Sequence, residues 1–259
     1  MNKLQNIKGI FLDLGGTLLY PPSGSFMFSE LAKQYFAPEK LRALPPQRVK
    51  AVEAKAYQAL HQNPLVLTLE EEYRIFLTYY TALSQELELG LSTAQLEEVA
   101  TDKIYNKTGN YRLFGDTIET LKALHGKYRL GIISDTWPSI VPVLEEFDAL
   151  RYFDFATYSF ELGAVKPDPR MYQDALSKMG LPAGETVFVD DTLKNLHGAA
   201  ALGIQTVQIR AGSWSPSLDR TFGIDGVQAE SPAPEQAGTP EGEVPPRIEA
   251  ISRLLDLLD

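Results

Sequence analysis

The alternation of short apolar runs with stretches of helical periodicity constrains this chain more than any other feature. Five runs, Ile7–Leu12, Tyr128–Ser134, Phe153–Ser159, Thr186–Asp190 and Ile204–Ile209, have the length and residue types of strands. Several lack polar alternation, as strands covered on both faces do. Helical patterns lie between them at Asp116–His125, Pro138–Phe147, Pro169–Met179 and Leu193–Leu202. This spacing predicts an α/β protein built on a doubly wound parallel sheet. Such sheets take ligands beyond the carboxyl ends of their strands, near the point where strand order reverses. Chemistry is therefore to be sought where the runs end.

Residues 21–108 break the alternation. They contain no convincing strand but carry helical patterns at Phe26–Phe36, Pro45–Gln62, Leu69–Leu89 and Thr93–Tyr105, each bounded by Pro, Gly, Ser or Thr. The reading is a helical subdomain inserted into a core made of residues 1–20 and 109–259. Within that core, residues 230–247 are rich in Pro, Gly and Glu and nearly free of large apolar side chains, so a mobile loop is expected there. The apolar spacing of Ile248–Leu258 predicts a final helix.

Composition narrows the function. Of 259 residues, 34 are Asp or Glu against 24 Lys or Arg, a net charge of −10. Such a surface repels polyphosphate backbones, which argues against nucleic acid as a partner. The absence of cysteine excludes disulfides, thiolate-ligated metal and a thiolate nucleophile. Three histidines, His61, His125 and His197, make a histidine metal cluster improbable. No apolar run approaches the roughly 18 residues of a membrane span, and Met1–Lys8 lacks the design of a signal peptide. A cytoplasmic protein with no membrane partner is expected. Nothing in the sequence fixes an oligomeric state.

Four groups sit at strand ends. The first run leads into Asp13-Leu14-Gly15-Gly16-Thr17, a carboxylate before glycines that let a ligand approach the backbone. The second leads to Ser134-Asp135, where a hydroxyl and main-chain N–H groups could hold a phosphate oxygen. Val165-Lys166-Pro167-Asp168-Pro169 holds a lysine in a stiff turn. Val189-Asp190-Asp191-Thr192 places two acids side by side, a pair that repels itself unless a cation or a shifted pKa offsets the charge. Each group taken alone also reads as a helix cap or turn. The order Asp, Ser, Lys, Asp-Asp at successive strand ends of one sheet does not.

With those four motifs the chain resembles the haloacid dehalogenase-like (HAD) hydrolase superfamily along its whole length. The resemblance implies a Rossmann-like core with a helical cap inserted after the first motif. It implies that Asp13 is the nucleophile, forming an aspartyl-phosphate on a small phosphorylated metabolite. It further implies Mg²⁺ held by Asp13, the Gly15 carbonyl, Asp190 and Asp191, and a phosphoryl group bound by Thr17, Ser134, Asp135 and Lys166. Lys166 would also hold Asp13, and Asn195 would support the metal site from behind.

One position departs from the phosphatase pattern. Phosphatases of this superfamily usually carry an acid–base Asp two residues after the nucleophile, and here that residue is Gly15. Loss of such a group costs on the order of 10²–10⁴ in rate, so low activity is expected, or a catalytically impaired relative that binds a phosphorylated ligand or a protein. A dehalogenase would lack the Asp190-Asp191 pair. A phosphonatase would need a cap lysine, for which Lys33, Lys50 and Lys55 are available. Tyr20, Phe26, Phe28 and Trp137 could line a pocket or simply pack. Tyr57, Tyr73, Tyr79 and Tyr80 fall at the spacings of a bundle interior.

Overall fold

The computed structural model describes residues 3–36, 45–60, 65–211 and 245–258. Its strands are β1 (Gly9–Leu12), β2 (Leu19–Tyr20), β3 (Arg112–Leu113), β4 (Arg129–Ser134), β5 (Phe155–Tyr158), β6 (Thr186–Asp190), β7 (Gln205–Ile209) and β8 (Arg247–Ile248). The principal helices are α1 (Glu30–Phe36), α2 (Pro46–Leu60), α3 (Leu69–Glu86), α4 (Thr93–Tyr105), α5 (Thr117–Leu124), α6 (Ile140–Glu146), α7 (Pro169–Met179) and α8 (Leu193–Ala200). The described residues divide into two compact units: one within 21–111, and one made of residues 3–20, 112–211 and 245–258.

The flanking unit contains a six-stranded sheet in the order β5-β4-β1-β6-β7-β8, every pairing parallel. It is the α/β, Rossmann-like architecture that the alternating pattern requires. The central strands read as continuous apolar runs because both faces are covered: Ile10, Phe11, Leu12, Val187, Phe188 and Val189 are wholly buried. After β4 and β5 build outward on one side of β1, the chain crosses back to β6 on the other, which makes the end of β1 the reversal point. The register aligns the strand ends there. Leu12 lies opposite both Ile132 and Val189, and the Asp13 N–H extends the ladder to the Val189 carbonyl at 3.0 Å.

Local signals set the helix boundaries. α7 starts at a proline, capped by Asp168, whose side chain accepts from the Arg170 N–H, and stops at Gly180 with φ 68°. The carboxyl-terminal segment departs from the expected helix over Ile248–Leu258. Arg247 and Ile248 extend the sheet as β8 beside β7, and Ile251–Asp256 forms a 3₁₀ helix. The open edge of β7 offers unpaired backbone groups, and satisfying them outweighs the local helical spacing. The neighbouring residues 230–244 of the expected loop lie outside the described residues.

The unit Pro21–Tyr111 is helical. Capping boxes start α3 (Thr68 with Glu71) and α4 (Ser92 with Gln95). Phe28, Phe36, Phe76, Tyr79 and Tyr80 are at most 1% exposed and form its aromatic core, with ring centroids 5.3–6.3 Å apart. Tyr73 is half-buried, and the side chain of Tyr57 lies outside the description. Phe26–Phe36 is helical only from Glu30: Ser25 accepts the Met27 and Phe28 N–H groups in a turn ahead of it, and Ser29 caps the helix by accepting the Ala32 N–H. Among the described residues no helix is long and apolar enough to cross a membrane.

Candidate active site

The ends of β1, β4 and β6 and the turn before α7 bring four chain segments together. Lys166, with its side chain 2% exposed, is the hub. Its ammonium donates to Asp13 Oδ1 at 2.7 Å, to Asp190 Oδ2 at 2.8 Å and to the Ile133 carbonyl at 3.3 Å. Those three bonds use all its hydrogens. Burial alone would lower the lysine's pKa, but Asp13, Asp190 and Asp135 together hold it well above its ordinary value, so it stays charged. The Asp135 carboxylate accepts the Lys166 main-chain N–H at 2.9 Å and so fixes the turn itself.

The two acids of the fourth motif differ in what they hold. Asp190 is wholly buried and both its oxygens are engaged: Oδ1 accepts from the Thr192 N–H at 2.7 Å, Oδ2 from Lys166, and the Asn195 amide donates to both at 3.2 and 3.1 Å. Asp191 is half-buried and has one recorded side-chain bond, from the Thr192 hydroxyl at 3.2 Å. Ligand oxygens of Asp13, Asp190 and Asp191 lie within 4.8 Å of one another. Burial pushes the Asp13 carboxyl up, against the pull of Lys166. Burial also raises Asp191, with the charges of Asp190 and Asp13 adding to it.

Three clustered carboxylates thus share one ammonium. Hard oxygen donors carrying uncompensated negative charge are what a small divalent cation requires, so the residues fit a Mg²⁺ site.

Ser134 ends β4, 2% exposed, in register with Tyr158. Thr17 is wholly buried and its hydroxyl oxygen has no hydrogen-bond partner among the described residues. Gly15 precedes Gly16, whose φ of 75° suits glycine, in a turn closed by the Leu18 and Leu19 N–H groups on the Leu14 carbonyl at 2.8 and 3.0 Å. Tyr20 packs on Phe114 with centroids 4.9 Å apart, and Trp137 is half-buried.

Two positioning residues carry no motif. The Tyr172 hydroxyl donates to the Asn195 carbonyl at 2.7 Å, and burial raises its pKa. The Gln208 amide donates to the Asp191 carbonyl at 3.2 Å. Gly198 allows the first contact, since a Cβ there would stand 2.7 Å from Pro167 Cβ and 3.0 Å from the Tyr172 hydroxyl. The turn bearing Lys166 and the helix bearing Asn195 are thereby pressed together. The period-two and period-3.6 patterns of β7 and α7 mark Gln208 and Tyr172 only as ordinary strand and helix positions.

A parallel sheet with a buried carboxylate, a bridging lysine and paired acids at its reversal point is the arrangement of a HAD-type hydrolase. Residues 7–203 match the haloacid dehalogenase-like hydrolase family, and the chain belongs to it. Among curated relatives, phosphoglycolate phosphatase of Salmonella typhi is 27% identical over 217 residues, covering 82% of this chain and 84% of that protein. A 2-haloacid dehalogenase from Pseudomonas syringae pv. Tomato shares the fold at a TM-score of 0.57 and 18% identity, over 97% of both chains. A HAD-hydrolase of Bacillus subtilis bound to magnesium does so at 0.58 and 14% identity, over 98% of this chain and all of that one.

Proposed function

We propose that this protein is a Mg²⁺-dependent phosphohydrolase that acts on a small phosphorylated metabolite through an aspartyl-phosphate on Asp13, slowly because Gly15 supplies no acid–base side chain. The observation that carries this reading is the convergence of Asp13, Asp190 and Asp191 on one ligand-sized volume beside the buried Lys166. Asp13, Asp191 and the Gly15 carbonyl would hold the ion, with Asp190 alongside, and when bound it screens the charge of the phosphoryl group.

The chain's own residues do the rest. Lys166 fixes the nucleophile by one oxygen, Oδ1, leaving Oδ2 to attack phosphorus. The P–O bond to the leaving alcohol breaks as the bond to Asp13 forms, and water then cleaves the acyl phosphate and regenerates the carboxylate. Asp190, engaged by Lys166, Asn195 and the Thr192 N–H, orients the lysine. The Thr17 hydroxyl and Ser134 would bind phosphoryl oxygens. Because the proton for the leaving group must come from water or the substrate, acyl and aryl phosphates should react best. Phosphoglycolate, the substrate in the relatives' name, is a natural first candidate among alkyl esters.

Gly15 keeps a second reading in play, a catalytically impaired binder of phosphorylated ligands. The paired Asp190 and Asp191 argue against a dehalogenase. Of the cap lysines considered for a phosphonatase, Lys33 is tied to Glu30 and the Ser23 carbonyl and Lys55 to Glu86, while the side chain of Lys50 lies outside the description. Hydrolysis of an aryl phosphate by the native chain, Asp13→Asn and Gly15→Asp, with and without Mg²⁺, separates the readings. Native turnover that requires both metal and Asp13 supports the enzyme; turnover only in Gly15→Asp supports the impaired relative. Metal-independent halide release from a 2-haloacid would overturn both.

A further inference from the structure

The Asp191 side chain has one recorded bond, from the neighbouring Thr192 hydroxyl at 3.2 Å, so its aim depends on the backbone that carries it. The peptide group joining Asp191 to Thr192 is held at both ends by side chains. Its N–H, on Thr192, donates to Asp190 Oδ1 at 2.7 Å, and its carbonyl, on Asp191, accepts from the Gln208 amide at 3.2 Å. A planar peptide anchored at both poles cannot turn about its flanking Cα bonds without breaking one of the two contacts. Because β6 ends at Asp190 and α8 begins at Leu193, turning that plane would displace Asp191 between two fixed elements.

Gln208 reaches this carbonyl from a rigid position. It lies opposite Asp190 in the β6–β7 register and opposite Arg247 in the β7–β8 register, and its own N–H donates to the Pro246 carbonyl at 2.9 Å. Among the described residues it is the one member of β7 with register partners on both sides. Pairing on both sides fixes its backbone, and burial to 8% exposure restrains its side chain. A second glutamine on the same strand lies away from the acids. Gln205, opposite Val187, donates to the Gln5 and Gly184 carbonyls, each at 2.8 Å.

We propose that Gln208 is a positioning residue that sets the Mg²⁺ affinity of the site, by locking the peptide group that aims Asp191. This rests on the metal reading of Asp13 and Asp191 given above. The test is a calorimetric titration of Mg²⁺ into the full-length protein, first stripped of metal with EDTA. It compares the native chain with Gln208→Met, Gln208→Asn, Gln205→Met and Asp191→Asn. Gln208→Met keeps the length of the side chain without a donor and should weaken Mg²⁺ binding about tenfold or more. Gln208→Asn keeps the amide but falls short of the carbonyl, and it decides alone if Gln208→Met does not fold. Gln205→Met should leave the affinity unchanged, although it removes two amide bonds from the same strand. Native-like affinity in Gln208→Met, or an equal loss in Gln205→Met, would overturn the inference and leave the metal site standing. A native chain that binds no Mg²⁺, or that binds it as tightly after Asp191→Asn, would overturn the metal reading and this inference with it.

Discussion

Replacing Asp13, the proposed nucleophile, should make the metal-free protein more stable while ending any turnover. Asp13 is a carboxylate that burial moves from an ordinary pKa of 3.8 to about 7. An acid whose pKa is raised in the folded state binds its proton more tightly there than in the unfolded chain. Its contribution is therefore neutral below pH 3.8, and a penalty grows as pH rises toward 7. Fully developed, that penalty is about 4 kcal/mol. Asp13→Asn removes it, and no separate loss is subtracted because the pull of Lys166 already opposes burial in setting that pKa. The gain at pH 8 in EDTA is at most about 4 kcal/mol, or a rise in Tm of about 7 °C. Urea unfolding of both proteins in EDTA at pH 5 and pH 8 measures it. The native chain should lose stability between those pH values, and the variant should lose less. If Asp13→Asn is instead the less stable protein at pH 8 without metal, the strain ascribed to the buried acids is wrong.

Other expectations follow from the same geometry. Lys166→Met leaves Asp13 and Asp190 without their ammonium partner and should lower stability by about 3–5 kcal/mol in urea titrations in EDTA, a loss that millimolar Mg²⁺ partly reverses. Gly15→Asp should raise kcat on alkyl phosphates by about 10²-fold or more, with a smaller gain on aryl phosphates, as steady-state rates on the two substrate types will reveal. Gly198→Ala drives a methyl group into Pro167 and Tyr172 and should cost about 1–3 kcal/mol and weaken Mg²⁺ binding, measured by calorimetry. Thr68→Ala removes half of the α3 capping box and should cost about 1 kcal/mol by thermal unfolding.

The core of this fold was legible because the parallel strands are buried on both faces and leave uninterrupted apolar runs, with the chemistry at their ends. Asp13, Lys166, Asp190 and Asn195 lie together where the sequence places those ends, since register in a parallel sheet aligns them. Residues defined by tertiary neighbours were not legible. Tyr172 and Gln208 act through single long-range bonds to main-chain carbonyls, and Lys103 is buried by aromatic rings contributed from other segments. The β8 strand escaped notice because two residues carry no periodicity and only the edge of β7 recruits them. The same applies to β2 and β3.

That small pair of strands has a larger consequence. Tyr20 and Arg112 are antiparallel partners, so the chain leaves and re-enters the sheet unit through adjacent backbones, about 5 Å apart. Whatever is spliced between them imposes no spacing on the strands of the parallel sheet. A pairing of this kind makes the intervening ninety or so residues interchangeable cargo, free to lengthen, shrink or diverge while the parallel sheet keeps its dimensions.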